Sequence, residues 1–279
     1  GQKEPLVAQE KHETGELGAV DPSGQEMRLS LRKYHVDIYI ENGIARTTVD
    51  QTFFNHVPWQ IEGTFYFPLP PDASVSRLAM YVGGTLNEGG MVERSRGQQI
   101  YTEIKLQRRD PALLEMMEGN VFKMRIFPIE GRQEKRIFVS YTQKLSELYG
   151  TLRYWFPMEH THSNARELTL HARIKGGVGQ YDPHSSTHPL AVTEDGGDLV
   201  LDYKASDVKP DQDFLLHLVP GKSGAREGFA TLAKDGLRYV FARVAPNLPG
   251  EVKVKPRHWV VVNDVSGSRT KLDVQAQAC

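Results

Sequence analysis

From residue 27 onward the chain alternates apolar and polar positions in short runs, the period-two signature of strands with one buried face. Met27, Leu29 and Leu31 alternate with Arg28 and Ser30, and Val36, Ile38 and Ile40 alternate with Asp37 and Tyr39. Asn42-Gly43 follows, a pair that closes tight hairpins because both residues tolerate positive φ. Residues 45–54 and 61–67 continue the series, the latter stopped by Pro68-Leu69-Pro70-Pro71, and residues 77–82 end at Gly83-Gly84. The period then changes. Residues 98–108 place Ile100 and Ile104 four apart, one stripe of a short amphipathic helix. Asp110-Pro111 reads as an N-cap and first helical residue for a second one over 112–117, closed by Glu118-Gly119-Asn120. Alternation returns at Phe122, Met124 and Ile126 and again at Ile137, Val139 and Tyr141. These runs predict a sandwich-like first domain over residues 27–145 with a helical insertion. Residues 1–26, rich in Gly, Glu, Gln and Lys and without an apolar period, read as a flexible N-terminal arm.

The second half is again mainly β. Residues 152–156, 167–174, 198–204, 213–219 and 237–244 are strand candidates separated by loops containing Gly and Pro, and predict a second β-rich, sandwich-like domain over 146–255. The style then changes over 256–279. His258-Trp259-Val260-Val261-Val262 is a continuous apolar run, followed by Asp264-Val265-Ser266-Gly267-Ser268 and a helical stretch from Thr270. A continuous run ending in a small-residue turn predicts a parallel strand buried on both faces.

Composition narrows the function. The 279 residues carry 34 Lys plus Arg against 35 Asp plus Glu, a formal net charge of −1. That balance argues against a nucleic-acid partner, which needs an excess of cationic side chains on one face. Hydrophobic residues make up 39%, enough for packed cores and too many for a wholly disordered chain. Cys279 is the single cysteine, so no internal disulfide framework exists. No apolar run approaches the roughly 20 residues of a membrane helix, so no span is expected. Residues 1–18 lack the apolar core of a signal peptide, and a leader is not expected in this chain.

The turn after the apolar run carries the most specific chemistry. Asp264, Ser266 and Ser268 alternate, which brings one carboxylate and two hydroxyls together at the carboxyl end of a strand, where open α/β sheets hold their ligands. Mg²⁺ suits such a set, because it takes hard oxygen donors in octahedral geometry and keeps several waters. The simpler reading is a capped turn in which Asp and Ser satisfy backbone donors.

Two resemblances bear on this. Phe54-Asn55, Phe67-Pro68-Leu69-Pro70, Tyr81-Val82-Gly83-Gly84, Gln99-Ile100-Tyr101, Ala112-Leu113-Leu114-Glu115, Phe122-Lys123-Met124-Arg125-Ile126 and Val139-Ser140-Tyr141 resemble, in order and spacing, the VIT domain shared by vault proteins and inter-alpha-trypsin inhibitor heavy chains. Gly63-Thr64 departs from that pattern, where an acidic residue and Ala are usual. Residues 260–268 resemble the first strand and metal-binding turn of a von Willebrand factor A domain, with Asn263 and Arg269 as departures. The two resemblances imply a non-enzymatic protein-protein interaction or adhesion module in an extracellular or cell-envelope setting. Asp264, Ser266 and Ser268 would then be ligands of Mg²⁺ or Mn²⁺ at a metal-ion-dependent adhesion site. The resemblance also implies that further ligands come from later loops of a complete A domain, and that exposed β edges favour self-association.

Two other classes compete. One is a structural assembly component of the vault type. The other is a zinc hydrolase built on His160, His162 and His171, with His184 and His188 further along; no cysteine accompanies these histidines, and solvated loop positions explain them much better. Lys175-Gly176-Gly177-Val178-Gly179 is a turn and not a phosphate loop.

Overall fold

The chain enters the fold through two short strands, β1 (Leu17–Val20) and β2 (Glu26–Arg28), and then runs the long hairpin of β3 (Ser30–Glu41) and β4 (Ile44–Phe54). The computed structural model describes residues 17–20, 26–82, 84–91, 112–116, 121–148, 150–158, 163–221 and 228–243. Two compact units divide the chain, Gly1–Arg243 and Val244–Cys279, and every described residue belongs to the first. Next come β5 (Ile61–Pro68), β6 (Ser74–Val82), β7 (Thr85–Glu88), β8 (Gly90–Met91) and β9 (Ala112–Met116). β10 (Val121–Ile129), β11 (Glu134–Lys144), β12 (Ser146–Leu148), β13 (Thr151–Phe156) and β14 (Ala165–Ile174) follow. β15 (Tyr181–His184), β16 (Ala191–Asp195), β17 (Asp198–Val208), β18 (Phe214–Pro220), β19 (Gly228–Lys234) and β20 (Leu237–Arg243) complete the described chain.

The β3–β4 turn forms at Asn42 (φ 52°) and Gly43 (φ 76°), both in the left-handed region that the Asn-Gly pair predicts. One irregularity in β3 is informative. Its register on β4 shifts between Leu31 and Lys33, and the buried positions move from Leu29 and Leu31 to Tyr34, Val36, Ile38 and Ile40. A bulge of one residue is what keeps both apolar sets on the core side of a strand whose parity would otherwise turn one of them outward.

Three sheets build the body. An eight-stranded sheet runs β16-β17-β14-β3-β4-β11-β6-β7, a six-stranded sheet runs β2-β1-β5-β10-β9-β8, and a four-stranded sheet runs β12-β13-β18-β15. β19 and β20 pair with each other. The two smaller sheets pack on the same face of the large one. Phe53 of β4 meets Phe65 of β5 edge-to-face at 5.9 Å, and Tyr141 of β11 lies 6.1 Å from Phe67. Beside them, Tyr34 of β3 meets Phe156 of β13 at 6.4 Å, and the Thr47 hydroxyl lies 2.8 Å from the Tyr154 hydroxyl. Within the large sheet, β3 pairs with β14 in parallel from Lys33 opposite Glu167 to Ile40 opposite Ile174. The sheet therefore continues from strands before residue 145 into strands after it.

Described strands cover the expected runs over 27–82, 122–141, 152–219 and 237–243, and the chain is mainly β. The helix expected over 112–117 is instead strand β9 through Met116, paired antiparallel with β10 from Ala112 opposite Ile126 to Met116 opposite Phe122. β10 has β5 on one side, and its other edge needs partners for its backbone groups; residues 112–116 supply them. That requirement outweighs the local helix signal of Asp110-Pro111, and Gly119-Asn120 stands between the two paired strands. The helix expected over 98–108 lies outside the described residues. Leu17–Val20, within the expected flexible arm, is also strand: it pairs with β5, and Leu17 and Ala19 are buried. Two apolar positions are too few to show a period.

Gly63 explains how β1 fits. A Cβ at Gly63 would stand 2.8 Å from Leu17 Cδ1 and 2.6 Å from Ile129 Cδ1, so a larger residue must push these side-chain ends aside where they cross β5. The departure from the usual VIT residue at this position thus accommodates Leu17. Gly63→Val should displace Leu17 and cost about 1–3 kcal/mol, the range for overpacking a core. Urea denaturation measures the loss, and amide exchange should show β1 losing protection before β4.

Candidate functional site

The eight-stranded sheet buries one face under the two smaller sheets and presents the other as a broad polar surface. Strand parity decides this: on β3 the core takes Tyr34, Val36, Ile38 and Ile40, which leaves Lys33, His35, Asp37 and Tyr39 on the outer side. Register then assembles rows from distant parts of the chain. Lys204, Thr169, His35, Asp50 and Phe138 form one row across β17, β14, β3, β4 and β11, and Asp202, His171, Asp37, Thr48 and Ser140 form the next. His35 Nδ1 lies 2.7 Å from Thr169 Oγ1, tying β3 to β14 between residues 134 apart in sequence. Thr48 and Ser140 hydroxyls meet at 2.9 Å.

The centre of this face is an ion pair set among aromatic rings. Arg136 donates from Nε to Asp50 Oδ1 at 2.9 Å and from its terminal nitrogen to Asp50 Oδ2 at 2.6 Å. Its guanidinium carbon also stands 4.8 Å from the Phe138 ring and 5.2 Å from the Tyr81 ring. Hydrogen bonding to Asp50 first, and the attraction of that carboxylate, raise the Arg136 pKa further above its ordinary value. A cleft of ≈ 380 Å³ lies alongside, lined by Lys33, His35, Asp50, Glu134, Arg136 and Glu167 among others. Cationic and carboxylate side chains line it together.

A second knot closes the turn after β14. The Gly176 amide donates to Asp198 Oδ1 at 2.8 Å, Arg173 donates to Asp198 Oδ2 at 3.0 Å, and the Lys175 ammonium lies 3.4 Å away. The amide contact first, then Arg173, hold the Asp198 carboxyl below its usual range. Arg173 also donates to Asp195 at 2.8 Å. The Lys175-Gly176-Gly177 turn is therefore structural. On the buried side, burial drives the Tyr34, Tyr141 and Tyr154 phenols well above their ordinary pKa values, so they remain neutral.

The sequence candidates fare differently. Asp264, Ser266 and Ser268, with the apolar run before them and the helix expected after them, lie outside the described residues. So do His160 and His162. His171 Nδ1 contacts Asp202 Oδ1 at 2.8 Å on the outer face. His188 is buried edge-to-face against Tyr203 and Phe214, and that burial lowers its pKa. His184 stands on β15 opposite His217. Among the described residues no group of three or more His, Cys, Asp or Glu side chains is placed to hold a metal ion, and no helix is long and apolar enough to cross a membrane. Sequence reading missed the outer-face surface because its members alternate with core residues on strands that only tertiary pairing brings together.

The profile of the Vault protein inter-alpha-trypsin domain matches residues 31–141, which confirms a VIT domain there. Human "Protein mono-ADP-ribosyltransferase PARP4" is 29% identical over 141 residues, covering 50% of this chain and 8% of that protein. The mouse protein of the same name is 25% identical over 155 residues, covering 52% and 8%. The chain thus spans less than a tenth of the length of these curated relatives. Among solved structures, an M1 zinc metallopeptidase from Deinococcus radiodurans is similar at 11% identity with a TM-score of 0.42, covering 74% of this chain and 44% of that one.

Arg136→Lys should remove the two-point clasp on Asp50 and the flat stack on Phe138 while keeping the charge. A loss of about 1 kcal/mol is expected for so exposed a pair, measured by urea denaturation. Asp198 gives a pH signature. Its depressed pKa means that its contribution to stability is present above about pH 4 and is lost as pH falls through the lowered value. Thermal midpoints of Asp198→Asn should therefore lie below wild type at pH 7, the gap closing under acid conditions.

Proposed function

We propose that this chain is a non-enzymatic protein-interaction module, of the adhesion type found with inter-alpha-trypsin heavy chains, working in an extracellular or cell-envelope setting. The VIT match over residues 31–141 carries the reading. The sheet that continues from β3 into β14 supports it, because it makes a broad polar face of alternating charges that suits a protein partner. In this reading residues 256–279 open a von Willebrand factor A domain, and Asp264, Ser266 and Ser268 contribute one carboxylate and two hydroxyls to Mg²⁺ or Mn²⁺. When bound, the cation would supply a Lewis-acidic point for a partner's carboxylate. The ADP-ribosyl transfer named for the PARP4 relatives is not carried over, since the shared region is 8% of those proteins.

Calorimetric titration with Mg²⁺ and Mn²⁺ tests this, using this chain beside one extended by about 180 residues, a domain's length. Binding by the extended chain, abolished in Asp264→Ala, is expected. Silence of both chains would remove the cation from the proposal. Ordered oligomers formed without cation, seen by sedimentation, would favour the structural-assembly reading instead.

A further inference from the structure

The four-stranded sheet turns Leu152, Tyr154, Phe156, Leu216 and Leu218 into the core and leaves its other face to solvent. On that outer face Arg153 of β13 stands directly opposite His217 of β18, and His217 directly opposite His184 of β15. Directly opposed residues have Cβ atoms about 4.5–5.5 Å apart. Three basic side chains therefore form one row across three strands, with Arg153 and His184 exposed and His217 half-buried. Among the described residues none of the three has an ion pair or side-chain hydrogen bond to satisfy it. Protonation of an imidazole here would set a like charge beside Arg153, a placement natural sheets ordinarily avoid. Partial burial first, then Arg153, then His184, hold His217 below the ordinary imidazole pKa.

The surroundings leave the row open. Ser146 of β12 continues it beyond Arg153, and Leu215 and Val219 flank His217 on its own strand. Trp155 flanks Arg153 and donates its indole N–H to Asp213 at 2.9 Å, and that carboxylate also accepts from the Met158 amide at 2.8 Å. Asp182 of β15, opposite Val219, is the acidic neighbour on this face.

We propose that Arg153, His217 and His184 form a binding site for a tetrahedral oxyanion of the sulfate or phosphate class. The guanidinium offers two parallel N–H donors, the imidazoles offer one each, and a dianion offsets the repulsion that imidazole protonation beside Arg153 would bring. Protonation of His217 adds a second N–H donor towards the anion, so affinity rises as pH falls from 7.5 to 5.5, and by linkage the oxyanion raises the His217 pKa. Asp182 opposes the anion, and Asp182→Asn should tighten it.

Nitrogen-15 NMR titration of the histidine rings of the full chain tests this, in sodium sulfate against sodium chloride at equal ionic strength. Sulfate should raise the His217 pKa and move the His184 ring signals, while the ring signals of His171, bonded to Asp202 on another sheet, stay in place. Arg153→Gln should raise the His217 pKa in the free protein and abolish its response to sulfate, the exposed position leaving other amide signals unchanged. A phosphoserine peptide that binds about tenfold tighter than sulfate would assign the anion to a protein partner; equal affinity would assign it to the free ion. Sulfate shifts no larger than those of chloride, or a response that survives Arg153→Gln, would overturn the site.

Discussion

The parallel pairing of β3 with β14 is the constraint on which the rest of the molecule depends. β3 opens the VIT region, and ten strands intervene before the chain returns to lie beside it. Without β14, β3 would present a row of unpaired amides and carbonyls along eight residues, an invitation to non-native pairing. Without β3, β14 and β17 would lose the neighbour that joins them to the main core. Each half thus closes an edge of the other. Parallel ladders need long crossovers, so this pairing costs considerable loop-closure entropy, and the shared apolar rows beneath it must repay that cost. Leu168, Leu170, Ala172 and Ile174 are buried opposite Tyr34, Val36, Ile38 and Ile40.

Sharing one sheet also divides labour between its faces. The inner face receives two smaller sheets, with aromatic contacts at Phe53–Phe65 and Tyr34–Phe156 fixing where each one sits. Polar groups at this level, such as the Thr47 and Tyr154 hydroxyls, satisfy each other, and burial keeps the phenols neutral. The outer face carries charges in alternation, with Arg136 clasped by Asp50 and stacked against aromatic rings. In the proposed function a partner would meet a surface that is already ordered, so little side-chain entropy would remain to be lost on contact. The VIT region supplies β3, β4 and β11 of that surface, and strands beyond residue 145 supply β14 and β17.

Much of the fold was legible along the chain, for definite reasons. The β3–β4 hairpin was readable because Asn42-Gly43 has few alternatives to its left-handed turn. Residues such as Phe122, Met124 and Ile126 announced β10 because each strand has one wet and one dry face. β9 was misread because Asp110-Pro111 resembles a helix start locally, whereas the vacant edge of β10 decided the outcome. β1 was missed because Leu17 and Ala19 are too short a pattern to stand above the surrounding polar residues. The candidate surfaces were harder still: His35 and Thr169, or Arg153, His217 and His184, look like isolated surface residues until pairing sets them side by side.

The sequence by itself determined the strand-rich class, the principal turns, the VIT pattern and the Asp264-Val265-Ser266-Gly267-Ser268 motif, because each depends on residues close together in the chain. Only the tertiary structure decided that β3 pairs with β14, that both smaller sheets cover one face, and which charges meet on the other. Those outcomes depend on which backbone edges remain unsatisfied once the local elements have formed, and on how apolar faces share one core.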